Sequence, residues 1–354
     1  MSQLFEAMKV GEIELKNRII MSPLTRCRAS EGRIPNDLMV EYYTQRATAG
    51  LIISEATSIE PMGVGYPDTP GIWNDDQVEG WKKITQAIHS KGGKIVLQLW
   101  HVGRISDPIY LDGKQPVAPS ALAAEGHVSL VRPIKAFEQP RALSKEEIQD
   151  IIEAYRIGAE NAKKAGFDGV EIHGANGYLP DQFLQSSTNQ RDDEYGGNLE
   201  NRARFLLEAT DAAIGVWGAG RVGVHLSPRC DAHDMGDDNP SETFSYLAKA
   251  LAQRNIAFIF TREHFNEPGL TAQIKKDFGG VVIGNEALTK QQAEQLIGNK
   301  TIDAAAFGKS YIANPDLVER LKHDTELNEL DTQTMYGSGP AGYTDYPFLE
   351  TVNS

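Results

Sequence analysis

The sequence predicts an α/β fold, a (β/α)8 TIM barrel with a short N-terminal hairpin and a long excursion after its third strand. Three observations lead there. Short apolar runs alternate with amphipathic stretches along nearly the whole chain, the pattern of a parallel sheet covered by helices. The units number about eight, which favours closure into a barrel over an open doubly wound sheet. No Gly-x-Gly-x-x-Gly turn stands near the first strand, where an open dinucleotide-binding sheet would carry one. Barrels of this class reach 354 residues as one unit, so a single domain, 1–354, is expected.

The elements follow in order. Phe5 to Leu15 reads as a hairpin and Ile19 to Pro23 as the first barrel strand, with a helical stretch over Asn36 to Ala49. Leu51 to Ala56 is the second strand, Asp76 to Ser90 an amphipathic helix, and Lys94 to Trp100 the third strand. Residues 103–143 then form the excursion. It carries Pro108, Pro116, Pro119, Pro133 and Pro140, and loops of that length in a compact domain are usually lids or binding loops. Ser144 with Glu147 is a capping box that opens a helix to about Lys164. The fourth strand ends at His173. Helices over Leu199–Val216, Ser241–Gln253, Leu270–Lys276 and Lys290–Leu296 alternate with strands over Arg221–Leu226, Ile256–Phe260, Gly280–Ile283 and Ile302–Phe307. A helix over Pro315–Lys322 closes the pattern.

Composition narrows the function. A net charge of -14 argues against a nucleic-acid partner or an anionic membrane surface, though it leaves room for a phosphate held locally by amides and one cation. Two cysteines, Cys27 and Cys230, exclude a disulfide framework, a four-cysteine zinc site and a cysteine-ligated iron–sulfur cluster. No metal site is expected. The first residues lack the basic flank and apolar run of a signal peptide, and no apolar run nears the ~18 residues that span a bilayer, so a cytoplasmic location is expected.

The richest stretch is Gly169-Val-Glu-Ile-His-Gly-Ala-Asn-Gly-Tyr178. Strand parity puts Glu171 and His173 on one face and Val170 and Ile172 on the other. Asn176 and Tyr178 follow in a Gly-rich loop, where Gly174 and Gly177 let the backbone bend. Two neutral donors, His173 and Asn176, can hold one oxygen and stabilise charge that builds on it; a phenol, Tyr178, can protonate the carbon beside it. The plainer alternative is a turn whose polar residues satisfy their own backbone.

Barrel enzymes place their chemistry at the carboxyl ends of the strands. Here those ends carry Pro23, Leu24, Thr25, Ala56, Gln98, Trp100, His225, Asn285, Gly308 and Lys309. Gly308 and Lys309 suit a phosphate, Gln98 a heterocycle edge, and Leu24 with Ala56 a flat ring. That set describes a planar, heteroatom-rich ligand with a phosphate tail, and flavin mononucleotide (FMN) fits it.

Seven motifs then resemble the Old Yellow Enzyme family of flavin-dependent ene-reductases over nearly the full length. They are Asn17-Arg-Ile with Pro23-Leu-Thr-Arg26, Gln45 to Thr57, Gln98-Leu-Trp-His-Val-Gly-Arg104, Ala165 to His173, Asp193 to Arg202, Ile312-Ala-Asn-Pro-Asp316 and Gly342-Tyr-Thr-Asp-Tyr-Pro347. Within the family the chain looks most like the bacterial xenobiotic reductases, near the N-ethylmaleimide and glycerol trinitrate reductases. The resemblance implies one barrel holding FMN non-covalently, reduced by NADPH or NADH and re-oxidised by an α,β-unsaturated carbonyl or nitro compound, with nitrate esters and nitroaromatics as further acceptors. It implies that His173 and Asn176 bind the acceptor, Tyr178 protonates its α-carbon, Thr25 and Gln98 contact the flavin, and Tyr66, Trp100 and Tyr343 line the substrate pocket. It leaves monomer and homodimer equally open.

Two positions depart from the family pattern. His225 stands where many relatives carry an arginine beside the flavin N1/O2 edge, so a pH-dependent flavin potential is expected. Lys309 replaces a phosphate-side arginine, keeping the charge without the bidentate fork. Glu286, beside Asn285, is expected to point away from the phosphate. Cys27 reads as a small buried bystander. The rival readings are a flavin-free barrel aldolase or isomerase, and a barrel that binds flavin without turnover.

Overall fold

The computed structural model describes residues 2–229, 232–265 and 269–349. Strands β1 (Met8–Val10) and β2 (Ile13–Leu15) pair antiparallel as the hairpin. Eight parallel strands follow: β3 (Ile19–Met21), β4 (Leu51–Ile53), β6 (Ile95–Trp100), β9 (Gly169–His173), β10 (Val222–Leu226), β11 (Phe258–Arg262), β12 (Val281–Asn285) and β13 (Ala304–Phe307). Neighbours in this list pair in order, β13 pairs with β3, and the sheet closes into a barrel. The short β5 (Thr57–Ser58) adds to β6, and β7 (Val117–Ala118) pairs with β8 (Arg141–Ala142) in the excursion.

Helices α1 (Asp37–Gln45), α2 (Asp75–Ser90), α3 (Lys145–Lys164), α4 (Leu179–Leu184), α5 (Leu199–Trp217), α6 (Pro240–Gln253), α7 (Thr271–Phe278), α8 (Lys290–Gly298), α9 (Lys309–Ala313) and α10 (Leu317–His323) surround it. Their ends are chemically specified. The Ser144–Glu147 capping box makes both of its bonds, as do equivalent boxes at Asn74–Gln77 and Thr289–Gln292. Helix α7 stops at Gly279, whose φ of 69° is the left-handed conformation that glycine adopts without steric cost. No helix among the described residues is long and apolar enough to cross a membrane.

Two apolar layers hold the barrel. Outward-facing strand residues such as Val170, Ile172 and Val224 pack against the helices. Inside, Val10, Ile13 and Leu15 of the hairpin plug the amino end against Ile20, Leu51, Ile53, Val96, Phe258 and Ile283. At the other end a smaller cluster joins Ala56, Trp100, Val102, Ile105 and Tyr178 to Ala124 and Phe137 of the excursion. Part of 103–143 therefore packs beside the barrel mouth.

Several boundaries differ from expectation, three of them for a clear local reason. The second strand leaves the sheet after Ile53 rather than at Ala56, because β5 then takes up pairing with β6. The last helix starts at Leu317 rather than Pro315, and a short helix that was not expected, α9, precedes it across Asn314-Pro315-Asp316. Proline lacks a backbone donor and disfavours helix in the residue before it, and Asn314 is extended. Strand β11 runs to Arg262, two residues past the expected end, paired there with Asn285. That last difference matters for the site.

Candidate active site

Strand register builds the floor of the site. His173, His225 and Phe260 are Cα partners on the adjacent strands β9, β10 and β11, so their rings stand side by side. The two imidazoles stack with centroids 5.0 Å apart, and Phe260 meets His225 edge-on at 4.5 Å. Parity works as expected on β9, with Val170 and Ile172 in the outer core and Glu171 and His173 inward. One layer deeper, Gln98 Nε2 donates to Glu171 Oε2 (2.7 Å) and lies 3.1 Å from His225 Nδ1. With His225 Nδ1 accepting that bond, the imidazole hydrogen sits on Nε2.

The loop after β9 is held in a strained shape. Asn176 has φ 59°, which costs energy for a residue with a Cβ. Ser227 Oγ accepts from its backbone N–H (2.7 Å), and His233 Nδ1 lies 2.7 Å from its carbonyl. Its Oδ1 accepts from Arg262 Nη1 (3.0 Å), which leaves the carboxamide NH2 as the end available to a ligand. Tyr178 OH is 2.8 Å from Tyr66 OH, and its ring meets His173 and Trp100 edge-on at 4.9 and 5.1 Å.

These residues surround a cavity of about 380 Å3 at the carboxyl ends of the strands, within the ~300–1,000 Å3 range of ligand pockets. Of the residues expected there, Pro23, Leu24, Thr25, Tyr66, Asn176, Tyr178, His225, Asn285, Gly308 and Lys309 line it. His173 is stacked directly behind, against His225. Ala56 and Trp100 pack beside Tyr66 and Tyr178, and Gln98 lies in the layer below. Tyr343 is the exception. It is fully buried, stacked on Tyr42 at 4.0 Å with the Arg26 guanidinium over its ring, and stands outside the cavity lining.

The cavity also contains residues that sequence reasoning passed over. Met335 and Tyr336 come from the C-terminal segment, which Arg26 and Arg28 clamp through the carbonyls of Thr334, Met335, Ala341 and Gly342. Nothing in the local sequence marks them, because they are placed by contacts some 300 positions away. Arg262 lines the cavity too. It shares a strand face with Phe260, a signal that was present once β11 is taken to its true end. Glu286 lines the cavity as well, where it ion-pairs with Arg262.

Burial sets the protonation states. It lowers His173 to about 3, helped by the nearby charges of Arg262 and His233. It holds His225 well below its ordinary value, with His173 and Arg262 acting in the same sense. Both imidazoles are neutral in the working range, so the expected titration of His225 is replaced by a fixed neutral ring. Burial, with Tyr66 adding to it, pushes the Tyr178 phenol well above its usual value, which keeps its proton in place. Burial raises Glu171 to about 8 against the opposing bond from Gln98. Cys27 is buried and its thiol pushed up to about 12 by burial and the Glu55 charge, so it is inert at neutral pH. Cys230 lies outside the described residues.

Four polar atoms cluster here without a partner although fully buried: Trp100 Nε1, Glu171 Oε1, His173 Nδ1 and His225 Nε2. Buried polar atoms are normally paired, so such a cluster at a pocket marks where a heteroatom-rich ligand belongs. The cavity also presents two cations, Arg262 and Lys309, with Gly308 beside the latter. The donor set fits FMN: a phosphate near Gly308 and Lys309, and a polar ring across the floor.

Comparison with known proteins agrees. The model of the NADH:flavin oxidoreductase / NADH oxidase family matches residues 3–328. The chain is 42% identical over 355 residues to a Leishmania infantum protein named as a probable flavin mononucleotide-dependent alkene reductase, covering 98% of this chain and 97% of that one. Among solved structures, morphinone reductase in complex with tetrahydroNAD superposes with a TM-score of 0.95 at 47% identity, covering 99% of both chains. The old yellow enzyme homologue of Zymomonas mobilis does so with a TM-score of 0.95 at 44% identity, covering 98% of this chain and 99% of that one.

Proposed function

The chain belongs to the Old Yellow Enzyme family of FMN-dependent NADH:flavin oxidoreductases, and from that premise we propose that it is an ene-reductase for alkenes conjugated to a carbonyl or nitro group. NADPH or NADH is the hydride donor in this reading, and nitrate esters and nitroaromatics are further acceptors. The observation that carries it is the meeting of the Asn176 carboxamide and Tyr178 at the cavity, with the His173 ring packed against Tyr178 and directly behind His225.

FMN, when bound, supplies the two-electron relay between the nicotinamide and the alkene. The protein's residues do the rest. Gly308 and Lys309 would hold the phosphate, while Thr25 and His225 would meet the ring edge, with Gln98 bonded to His225 from below. The neutral His173 and the NH2 of Asn176 donate to the acceptor oxygen, drawing charge from the β-carbon and stabilising the enolate or nitronate that forms. Each such donor is worth about 3 kcal/mol. A neutral imidazole polarises the oxygen while keeping its own proton. Tyr178 gives its proton to the α-carbon, and Tyr66, hydrogen-bonded at 2.8 Å, steadies the phenolate left behind. Trp100 and the excursion residues Ala124 and Phe137 shield that side from water.

Replacing Tyr178 by Phe tests the assignment by stopped-flow. Reduction of the bound flavin by NADPH should be unchanged, while re-oxidation by an enone slows by about 10²–10⁴-fold. Nitrate-ester reduction, which needs no proton on carbon, should suffer less. An equal slowing of the reductive step would overturn the role given to Tyr178. Failure of the wild-type protein to bleach with either nicotinamide and recover its colour with enones would overturn the function.

A further inference from the structure

The cavity's charges are unevenly placed. Lys309 opens the short helix α9 beside Gly308, on the side suited to a phosphate. Arg262 stands at the end of β11, two residues above Phe260 on the inner face, next to the row His173–His225–Phe260. Its guanidinium is steered from two directions. Asn176 Oδ1 accepts from Nη1 at 3.0 Å, and the Glu286 carboxylate pairs with Nε. Asn176 is one of the residues assigned to the acceptor, so the guanidinium lies on the ring side of the cavity. His225, on the neighbouring strand, is one layer deeper and carries no charge.

A flavin ring that takes up two electrons and one proton gains one negative charge. A ligand with two anionic parts, phosphate and reduced ring, therefore meets two cations about the same pocket. We propose that Arg262 is the cation that stabilises the reduced flavin ring, delivered from β11, with Glu286 as its tether and His225 beneath it as a neutral hydrogen-bonding spacer. An arginine stays protonated at any working pH, so it brings a fixed positive charge to the electron-rich side of the ring. Asn176 gains as well, because the same guanidinium fixes its carboxamide with NH2 outward. The assignment rests on the reading that FMN occupies this cavity.

The test compares FMN affinity in two oxidation states rather than turnover. Oxidised FMN is titrated by fluorescence quenching, and the midpoint potential of the bound flavin gives the affinity of the reduced form. Arg262→Gln should bind oxidised FMN within about threefold of wild type but weaken the reduced form at least tenfold, lowering the potential by about 30 mV per factor of ten. Arg262→Lys should lose less, and His225→Arg added to Arg262→Gln should recover part of the loss. Glu286→Gln should move the ratio the other way, because it unmasks the guanidinium; this variant serves if loss of Arg262 prevents folding. If Arg262→Gln or Glu286→Gln changes both affinities by one common factor, or changes neither, the assignment is wrong. A wild-type protein that holds no FMN would overturn the cavity reading itself, and the assignment with it.

Discussion

The two ends of the barrel are built on opposite principles. At the amino end, the hairpin seals the interior with Val10, Ile13 and Leu15, packed on Ile20, Leu51, Ile53 and Phe258, all at most 2% exposed. Its connection is tied down as well: Glu12 donates its N–H to Gly220 carbonyl at 2.8 Å. At the carboxyl end, His173 Nδ1, His225 Nε2, Glu171 Oε1 and Trp100 Nε1 are buried without partners, and Asn176, Glu286 and Ala287 all have positive φ. A buried polar atom left unpaired costs about 1–3 kcal/mol. The mouth thus concentrates costs that a ligand offsets, while the plug supplies apolar burial that no ligand touches. Stability and function are separated along the barrel axis.

The sharpest way to break that contrast is at the closed end. Phe258→Ala should cost about 3–5 kcal/mol of stability by opening a cavity in the interior layer. Thermal unfolding should show it, with the flavin spectrum and kcat of the surviving folded protein unchanged; a spectral change would mean that the ends are coupled. Next comes the mouth. His173→Ala should lower kcat/KM for an enone by about 10²–10³-fold, and Asn176→Ala comparably. Neither should lower the melting temperature of the apoprotein as far as Phe258→Ala does, since His173 Nδ1 has no partner and Asn176 gives up only its side-chain bond to Arg262.

Buried carboxyls give a smaller effect with a definite sign. Glu171, raised to about 8 by burial, keeps in the folded state a proton that the unfolded chain gives up near pH 4.5. Its contribution is present below that value and is lost as pH rises towards 8, by up to about 1.4 kcal/mol per pH unit. Glu55 and Asp181, both raised to about 7 by burial, act in the same sense. His173 and His225 act oppositely: held neutral in the fold, they cost stability as pH falls below about 6.5, where the unfolded chain takes up protons. Apoprotein stability should therefore decline between pH 6.5 and 8, and Glu171→Gln should flatten that decline, measured by urea unfolding at each pH. An unchanged slope would place the charge elsewhere. The smallest effect is Ser227→Ala, which removes the acceptor for the Asn176 N–H; about 1 kcal/mol is expected, read as a rise in KM for the acceptor.

Much of this molecule is written locally. The alternation of β9, the Ser144–Glu147 box and the proline break at Pro315 each depend on residues within a few positions of one another. Their geometry follows from strand parity, capping chemistry or a missing donor. The residues that misled are those whose neighbours are distant. Tyr343 belongs to a motif, yet its ring stacks on Tyr42, and Met335 and Tyr336 of the same segment reach the cavity instead. Arg262 was hidden by a strand end misplaced by two residues.

The sequence by itself determined the eightfold repeat, the family, and which residue types stand at the strand ends, because periodicity, caps and motifs are properties of short stretches. Only the tertiary structure decided which of those side chains share a cavity, that His225 is a neutral ring, and that the positive charge beside it comes from β11. Those facts depend on register between strands and on how deeply each group is buried. Both arise only when distant parts of the chain close the barrel around one space.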